Sequence, residues 1–264
     1  NRNSRSYFMY YFNGIICDIL NKIEDISDHK LLHMKKIIIL LIVSILITAC
    51  SSEKETNMLV QGQIKGLKKG TLYLQKMKDS LLISVDSIDL LGNDRFSLTD
   101  NVISPVLYYL TFDGNTTNKR ILFFGEEGTI TINDKLDQFG YNPEIIGSKN
   151  QEILDKYNMI KKKFQNKRLE LIKEDFDAKK AKDTKLITKL ENDYNKLIKR
   201  KVLFTTNFAI SNADSEVAPY LGLTEMYNAS LKMLDTVSNS LSDKVKKSDY
   251  GKRFQKYLAK IKTE

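Results

Sequence analysis

One cysteine, Cys50, lies in a sequence context in which its thiol can act as a nucleophile. Cys50 ends the stretch ITAC, and the apolar run 37–47 before it follows the lysine pair 35–36. A cysteine thiolate is a nucleophile, and the small residues before it let the chain fit a protease cleft. A positive start, a short apolar run and a small-residue end are typical of a secretory signal peptide. Residues 37–49 number thirteen, whereas a transmembrane helix needs about 20, so a membrane span is the weaker interpretation.

The stretch ITAC resembles the lipobox of bacterial lipoproteins, in which an aliphatic residue and two small residues precede an obligatory cysteine. The resemblance implies that the signal peptide 34–49 is removed, that Cys50 carries lipid on its sulfur and its amino group, and that residues 50–56 form a lipidated tether. Several acyl chains on one residue give a stable membrane anchor. Because no aspartate follows Cys50, an outer-membrane lipoprotein of the cell envelope is expected, facing the periplasm or the surface. With Met34 as the start, residues 1–33 are an upstream extension outside the gene product.

From Cys50 onward, the chain lacks the residue types that many catalytic sites need. Both histidines, His29 and His33, and the other cysteine, Cys17, precede Met34. This excludes a Ser-His-Asp triad, a His/Cys zinc site and a C-x-x-C redox pair from that part of the chain. Its glycines form no phosphate-binding loop motif, and no carboxylate or lysine pair is marked for catalysis. We therefore expect a protein that is not an enzyme and that holds no cofactor and no metal.

Residues 57–147 show the alternation of apolar and polar side chains that is typical of β-strands. Leu72 and Leu74, for example, alternate with Thr71 and Gln75. Turn residues rich in glycine, asparagine and aspartate separate such runs. The spacing predicts seven or eight short strands in an antiparallel β-sandwich or an open barrel.

From residue 148 onward, apolar side chains recur with the helical period of 3.6. The polar stretch 177–184 divides two apolar stripes, which predicts an α-helical hairpin. One unbroken helix of about 60 residues is the alternative. Three short helices are expected after the hairpin, with N-caps at Ser215, Ser230 and Ser242.

The chain is thus predicted to be an α+β protein whose two domains, a β-sandwich at 57–147 and a helical domain at 148–264, differ in charge. Residues 51–147 hold 10 basic and 13 acidic side chains, whereas residues 148–264 hold 26 and 16. Most of this charge is expected on a solvated helix face. An envelope protein or an anionic envelope ligand, such as a lipid head group or lipopolysaccharide, is the expected partner class. An exported protein meets little nucleic acid, so no nucleic-acid partner is expected.

Two short sequence patterns suggest a modification site and a turn. Ser80, Ser87 and Thr236 stand in Asp-Ser/Thr-aliphatic triplets, which resemble the acceptor pattern of some bacterial O-glycosylation systems. Glu126 and Glu127 stand between glycines, and this pattern indicates a hairpin turn more than a calcium site. The triplets therefore mark candidate modification sites, and the two glutamates mark a turn.

Three motifs extend the comparison with lipoproteins. Residues 60–74 read V-x-G-x-I-x-G-L-x-x-G-x-x-Y-L, residues 212–221 read N-x-x-S-x-V-A-P-Y-L, and residues 241–252 read L-S-x-K-V-K-x-S-x-Y-G-K. Together they resemble the region, including a domain of unknown function, that precedes the thioredoxin-like domain of envelope thiol-disulfide oxidoreductase lipoproteins. In those relatives the thioredoxin fold would begin near Glu264. Because its C-x-x-C pair is absent, the resemblance does not extend to oxidoreductase activity.

Two functional hypotheses follow. The first is a lipid-anchored, non-catalytic recognition module of the cell envelope. The alternative is a detached accessory half of an envelope thiol-disulfide oxidoreductase system, acting with a separate thioredoxin-like protein.

Overall fold

The computed structural model describes residues 56–78, 81–113 and 119–263, all within one compact unit, Glu55–Glu264. The described residues form eight strands, one short 3-10 helix (Leu136–Gln138) and six α-helices. The strands are β1 (Met58–Lys65), β2 (Lys69–Lys78), β3 (Leu81–Leu91), β4 (Arg95–Asp100), β5 (Val106–Phe112), β6 (Ile121–Gly125), β7 (Gly128–Lys135) and β8 (Glu144–Ile146). The helices are α1 (Lys149–Lys180), α2 (Thr184–Ser211), α3 (Val217–Thr224), α4 (Leu231–Ser240), α5 (Asp243–Lys247) and α6 (Asp249–Thr263).

The strands form two four-stranded sheets, ordered β4-β1-β7-β8 and β3-β2-β5-β6. The predicted α+β class with an N-terminal sandwich is confirmed, and the sheets do not close into a barrel within the described residues. One pairing departs from the antiparallel expectation, since β1 and β7 run parallel, with Met58 opposite Gly128. This pairing arises because residues 126–127 carry the chain from β6 in one sheet to β7 in the other.

Alternate side chains from both sheets fill the space between them. Val60 and Ile64 of β1 meet Leu72 and Leu74 of β2, and all four are fully buried. Burying such a side chain contributes about 1.5–3 kcal/mol relative to leaving it exposed. The period of two that was visible in the sequence is therefore the pattern that makes this core.

The two long helices form the predicted hairpin, with residues 181–183 as the turn. Leu171 and Ala178 of α1 pack with Leu190 of α2 in a small apolar cluster. The Oδ1 atom of Asp183 accepts a hydrogen bond from the Leu186 N–H at 2.9 Å, which caps α2. The single-helix alternative is therefore excluded.

The helices pack directly on one sheet. Leu107 and Phe124 of the β3-β2-β5-β6 sheet share an apolar cluster with Leu154, Tyr157 and Leu221 of the helices. This cluster holds the helical part against the sandwich.

Four helices follow the hairpin, where three were predicted. Ser230 and Ser242 cap α4 and α5 as expected. Ser215 does not cap α3, because the helix starts one residue later and Glu216 takes the cap position. The Ser215 hydroxyl donates to the Asn150 side chain at 2.6 Å and still accepts at 3.2 Å from the N–H of Val217, the first residue of α3.

Candidate functional site

A cleft of about 640 Å³ lies between the sandwich and the C-terminal helices. The end of β2, the loop 101–105 and the start of β5 form one wall, and α5 and α6 form the other. The wall on the sandwich side is mostly apolar, and it is lined by Met77, Val102, Ile103, Pro105 and Val106. Six cations line the cleft: Lys76, Lys78, Lys244, Lys247, Lys252 and Arg253.

Hydrogen bonds on both sides hold the loop 101–105 in place. The Asn57 side chain accepts from the Val102 N–H at 2.7 Å and donates to the Val102 carbonyl at 2.9 Å. On the other side, the Ser104 hydroxyl accepts from the Asp249 N–H at 3.1 Å. The first residue of α6 is thereby attached to the loop, so the two walls of the cleft are connected.

A polar group closes the cleft next to β2. Lys76 donates to the Asp100 carboxylate and, at 3.2 Å, to the Tyr108 hydroxyl. The Tyr108 hydroxyl in turn donates to Asp100 at 2.6 Å. Burial, reinforced by the neighbouring Asp100 carboxylate, raises the pKa of Tyr108, so its phenol stays protonated. Lys76 is thus already neutralised by a partner within the protein.

The other lysines of the cleft are not neutralised in this way. Lys78, Lys244, Lys247 and Lys252 form no ion pair or hydrogen bond through their ammonium groups with any described residue. Arg253 differs, because its Nε lies 2.8 Å from Asp249 Oδ2, an ion pair without hydrogen-bond geometry. Four lysines without an internal partner among the described residues therefore line one concave surface.

Glu216 lines the same cleft from the base of α3. Its residue surface is only 2% exposed, and no described residue donates a hydrogen bond to its carboxylate or forms an ion pair with it. The cleft therefore combines its cations with two carboxylates: Glu216, which has no partner among the described residues, and Asp249, whose buried Oδ2 accepts no hydrogen bond.

A second group of charges lies away from the cleft, between the hairpin and α3. Glu225 accepts from Lys161 and Lys201. Burial alone would raise the pKa of its carboxyl, but the hydrogen bonds and charges of the two lysines outweigh burial and hold that pKa below its ordinary value. Because all three groups are satisfied by one another, this cluster serves to join helices.

Comparison with known families gives one result. Residues 58–154 match the family model described as a domain of unknown function, DUF4369. A DUF4369 domain is thus present. It comprises all eight strands and the start of α1. No curated protein and no solved structure matches the chain. The cleft therefore lies where the DUF4369 domain meets helices that follow it in the chain.

The residues selected from the sequence do not converge on this cleft. Cys50, with the signal peptide 34–49, lies outside the described residues, and so does Ser80. Ser87 is exposed on β3 of the DUF4369 domain, and Thr236 is exposed on α4. Both residues are accessible to a modifying enzyme. Their O-glycosylation stays a prediction. Among the described residues, no helix is both long enough and apolar enough to cross a membrane.

Glu126 has a different role from the predicted hairpin turn. Residues 126–127 link strands of different sheets, so no hairpin is formed there. The Glu126 carboxylate instead accepts from the backbone N–H and the side-chain amide of Asn150 and from the Lys149 N–H, at the start of α1. A carboxylate stabilises the positive end of a helix. The sequence signal for this contact is the serine N-cap at residue 148, which marks a helix start but does not identify the carboxylate that binds it.

Proposed function

We propose that this protein is a lipid-anchored component of the bacterial cell envelope that binds a phosphate-bearing ligand in the cleft without transforming it. The observation that carries the proposal is the set of four lysines without partners among the described residues, Lys78, Lys244, Lys247 and Lys252, around one concave surface. A volume of about 640 Å³ is within the usual range for small-molecule sites, about 300–1,000 Å³. The ligand is either a free anion or the head group of an envelope lipid.

The chemistry of the cleft supports an anion. Lysine ammonium groups bind phosphate as point charges, and cations of one sign in a concave site focus the local potential. On the other wall, Ile103 is fully exposed and offers apolar contact to the rest of a ligand. The proposal of binding without catalysis rests on the sequence from Cys50 onward, which contains no histidine and no C-x-x-C pair.

Calorimetric titration with inorganic phosphate at low ionic strength tests the binding. The test variant carries Lys244→Gln, Lys247→Gln and Lys252→Gln. A matched variant removes three exposed lysines of the hairpin, through Lys163→Gln, Lys185→Gln and Lys199→Gln. We expect affinity to fall at least about tenfold in the first variant, since charge-assisted hydrogen bonds are lost, and only slightly in the second. Equal losses in the two variants, or no binding by the unmodified protein, would overturn the proposal.

The lipid anchor is tested separately in cells. With radiolabelled palmitate, we expect Cys50→Ala to lose the label and Cys17→Ala to keep it, because Cys17 precedes the proposed signal peptide. Equal labelling of wild type and Cys50→Ala would refute the anchor at this residue. Fractionation of the inner and outer membranes tests the proposed outer-membrane location in the same cells.

A second candidate function uses the same face of the molecule. The motif at 241–252 that resembles thioredoxin-like oxidoreductase lipoproteins contributes Lys244 and Lys252 to the cleft, while Glu216 and Lys247 stand at positions that the motifs leave open. The cleft would then contact a separate thioredoxin-like protein, for which this chain is the accessory half. Crosslinking in native membranes, followed by mass spectrometry, should recover that protein. Recovery that is unchanged in the triple cleft variant would count against docking at this site.

A further inference from the structure

The carboxylate of Glu216 restricts the ligand class, and this step rests on the proposed function of the cleft. Phosphate binding alone would not need an acid at that position, because a carboxylate repels an anion. Glu216 is nevertheless 2% exposed, lines the cleft and lacks any hydrogen-bond donor among the described residues. An acceptor that the fold leaves unused is available to a donor on the ligand.

The fold favours the negative charge of Glu216 but gives its carboxylate no hydrogen bond. Glu216 occupies the N-cap position of α3, but its side chain makes no capping hydrogen bond. The helix N-terminus and the cleft lysines favour its negative charge through space. Neither supplies a directional N–H or O–H hydrogen bond to its carboxylate.

Two kinds of ligand group can donate such a bond, an ammonium and a hydroxyl. An ammonium group at Glu216 would enter the field of four lysines that have no partner among the described residues. They outnumber the two carboxylates of the cleft, Glu216 and Asp249, and would repel it. A hydroxyl donates to the carboxylate equally well and carries no charge. The charge distribution therefore favours the hydroxyl.

We infer that the cleft binds a phosphorylated sugar or polyol, whose phosphate contacts the lysines and whose hydroxyl donates a hydrogen bond to Glu216. The ligand is either free in the periplasm or the head group of a lipid. The exposed Ile103 beside the cleft is available to the carbon skeleton of either form.

Calorimetry with three small phosphates tests the inference. Methyl phosphate supplies the anion alone, glycerol phosphate adds hydroxyls, and phosphoethanolamine adds an ammonium. We expect wild type to bind glycerol phosphate about tenfold or more tightly than methyl phosphate, the gain from a hydrogen bond to a charged group. Phosphoethanolamine should bind no better than methyl phosphate.

The variant Glu216→Met removes the acceptor and keeps a side chain of similar length that suits burial. It should lose the preference for glycerol phosphate and bind methyl phosphate as well as wild type does, or better, because one repulsive charge is gone. Glu216→Gln should keep a reduced preference through its amide oxygen. Thermal unfolding of each variant confirms that it is folded.

The outcomes separate this inference from the proposed function. Equal affinity of wild type for methyl and glycerol phosphate, or a preference that persists in Glu216→Met, overturns the hydroxyl contact and leaves phosphate binding intact. Tighter binding of phosphoethanolamine than of glycerol phosphate overturns the inference in favour of a zwitterionic ligand. Failure to bind any of the three overturns both proposals.

Vesicles distinguish the free ligand from the lipid head group. Phosphatidylglycerol and phosphatidylmethanol carry the same charge, but only the former has head-group hydroxyls. Co-sedimentation of wild type with phosphatidylglycerol vesicles in preference to phosphatidylmethanol vesicles, lost in Glu216→Met, indicates the lipid-borne form. No preference between the vesicles, together with a preference for free glycerol phosphate, indicates the free form.

Discussion

The Nζ atom of Lys201, on α2, lies 2.9 Å from the Oε2 atom of Glu225, at the end of α3. Lys161 of α1 binds the other carboxylate oxygen. The Glu225 side chain is 13% exposed, so the three charges are largely shielded from water. One carboxylate therefore joins three helices of the chain.

The variant Glu225→Gln should be less stable at neutral pH, because two partly buried lysines lose their counter-charge. We expect a loss of about 1–3 kcal/mol at pH 7. The folded-state pKa of Glu225 lies below its ordinary value. Its contribution is therefore complete above the ordinary pKa and disappears as the pH falls through the folded-state pKa.

Urea unfolding of wild type and Glu225→Gln across the acid range measures this contribution. The two stability curves should converge at low pH, and wild type should show the steeper acid limb. Glu170→Gln is a suitable control, since among the described residues Glu170 pairs with one exposed lysine a turn away, and such pairs contribute little. A difference between wild type and Glu225→Gln that is independent of pH would contradict the assignment.

Replacing Glu216 should have the opposite effect on stability. Because the Glu216 residue is 2% exposed and its carboxylate lacks a donor among the described residues, the apolar substitution Glu216→Met is expected to stabilise the protein by about 1–2 kcal/mol. A protein of this size should then melt roughly 2–8 °C higher. Calorimetric melting of this variant, beside Glu191→Met on the exposed face of α2, gives the comparison. A lower melting temperature for Glu216→Met would show that the carboxylate supports the fold.

The Tyr108 hydroxyl should matter more than the hydroxyl of its neighbour on the strand. Tyr108→Phe leaves the Asp100 carboxylate without the donor at 2.6 Å and should cost about 1–2 kcal/mol. Tyr109 is a close control, because its hydroxyl has no hydrogen-bond partner among the described residues and its ring lies near Arg120. We expect Tyr109→Phe to change stability by less than about 0.5 kcal/mol. Equal effects in chemical denaturation would argue against the polar group at the cleft wall.

The junction of α5 and α6 should reject even one added methyl group. A Cβ atom at Gly251 would lie 1.9 Å from the Val245 carbonyl oxygen, a backbone atom that cannot rotate away. We expect Gly251→Ala to destabilise the protein by about 2 kcal/mol or more and to weaken phosphate binding, because both helices line the cleft. Gln255→Ala, on the exposed face of α6, should do neither. Wild-type unfolding and binding by Gly251→Ala would show that the two helices separate at little cost.

Local sequence patterns predicted most of the fold. Alternation in stretches such as 71–75 and the break at 177–184 indicated the strands and the hairpin, because both depend on which face of one element is buried. Strand partners were harder to predict, since the β1–β7 pairing depends on where a chain crosses between sheets. Ser215 looked like an N-cap because its side chain is suited to one, yet tertiary packing starts α3 one residue later.

The cleft was missed for a related reason. Lys76, Ile103, Glu216 and Lys252 are separated by up to 176 positions in the chain, and each resembles an ordinary side chain of its own strand, loop or helix. These residues share their proximity in the folded chain. In addition, Glu216 and Lys252 have no internal partner among the described residues. Neither property can be predicted from the spacing of residues in one sequence.

The parallel pairing of β1 with β7 also constrains the order in which the sandwich assembles. Met58 meets Gly128, and closing so long a loop makes the contact slow to form compared with the β2–β3 hairpin. Until β7 has been synthesised, β1 has one hydrogen-bonding edge unpaired beside apolar side chains. An unpaired strand edge of this kind invites association with another chain. A nascent chain interrupted between β4 and β7 should therefore need a holding chaperone more than the finished protein does.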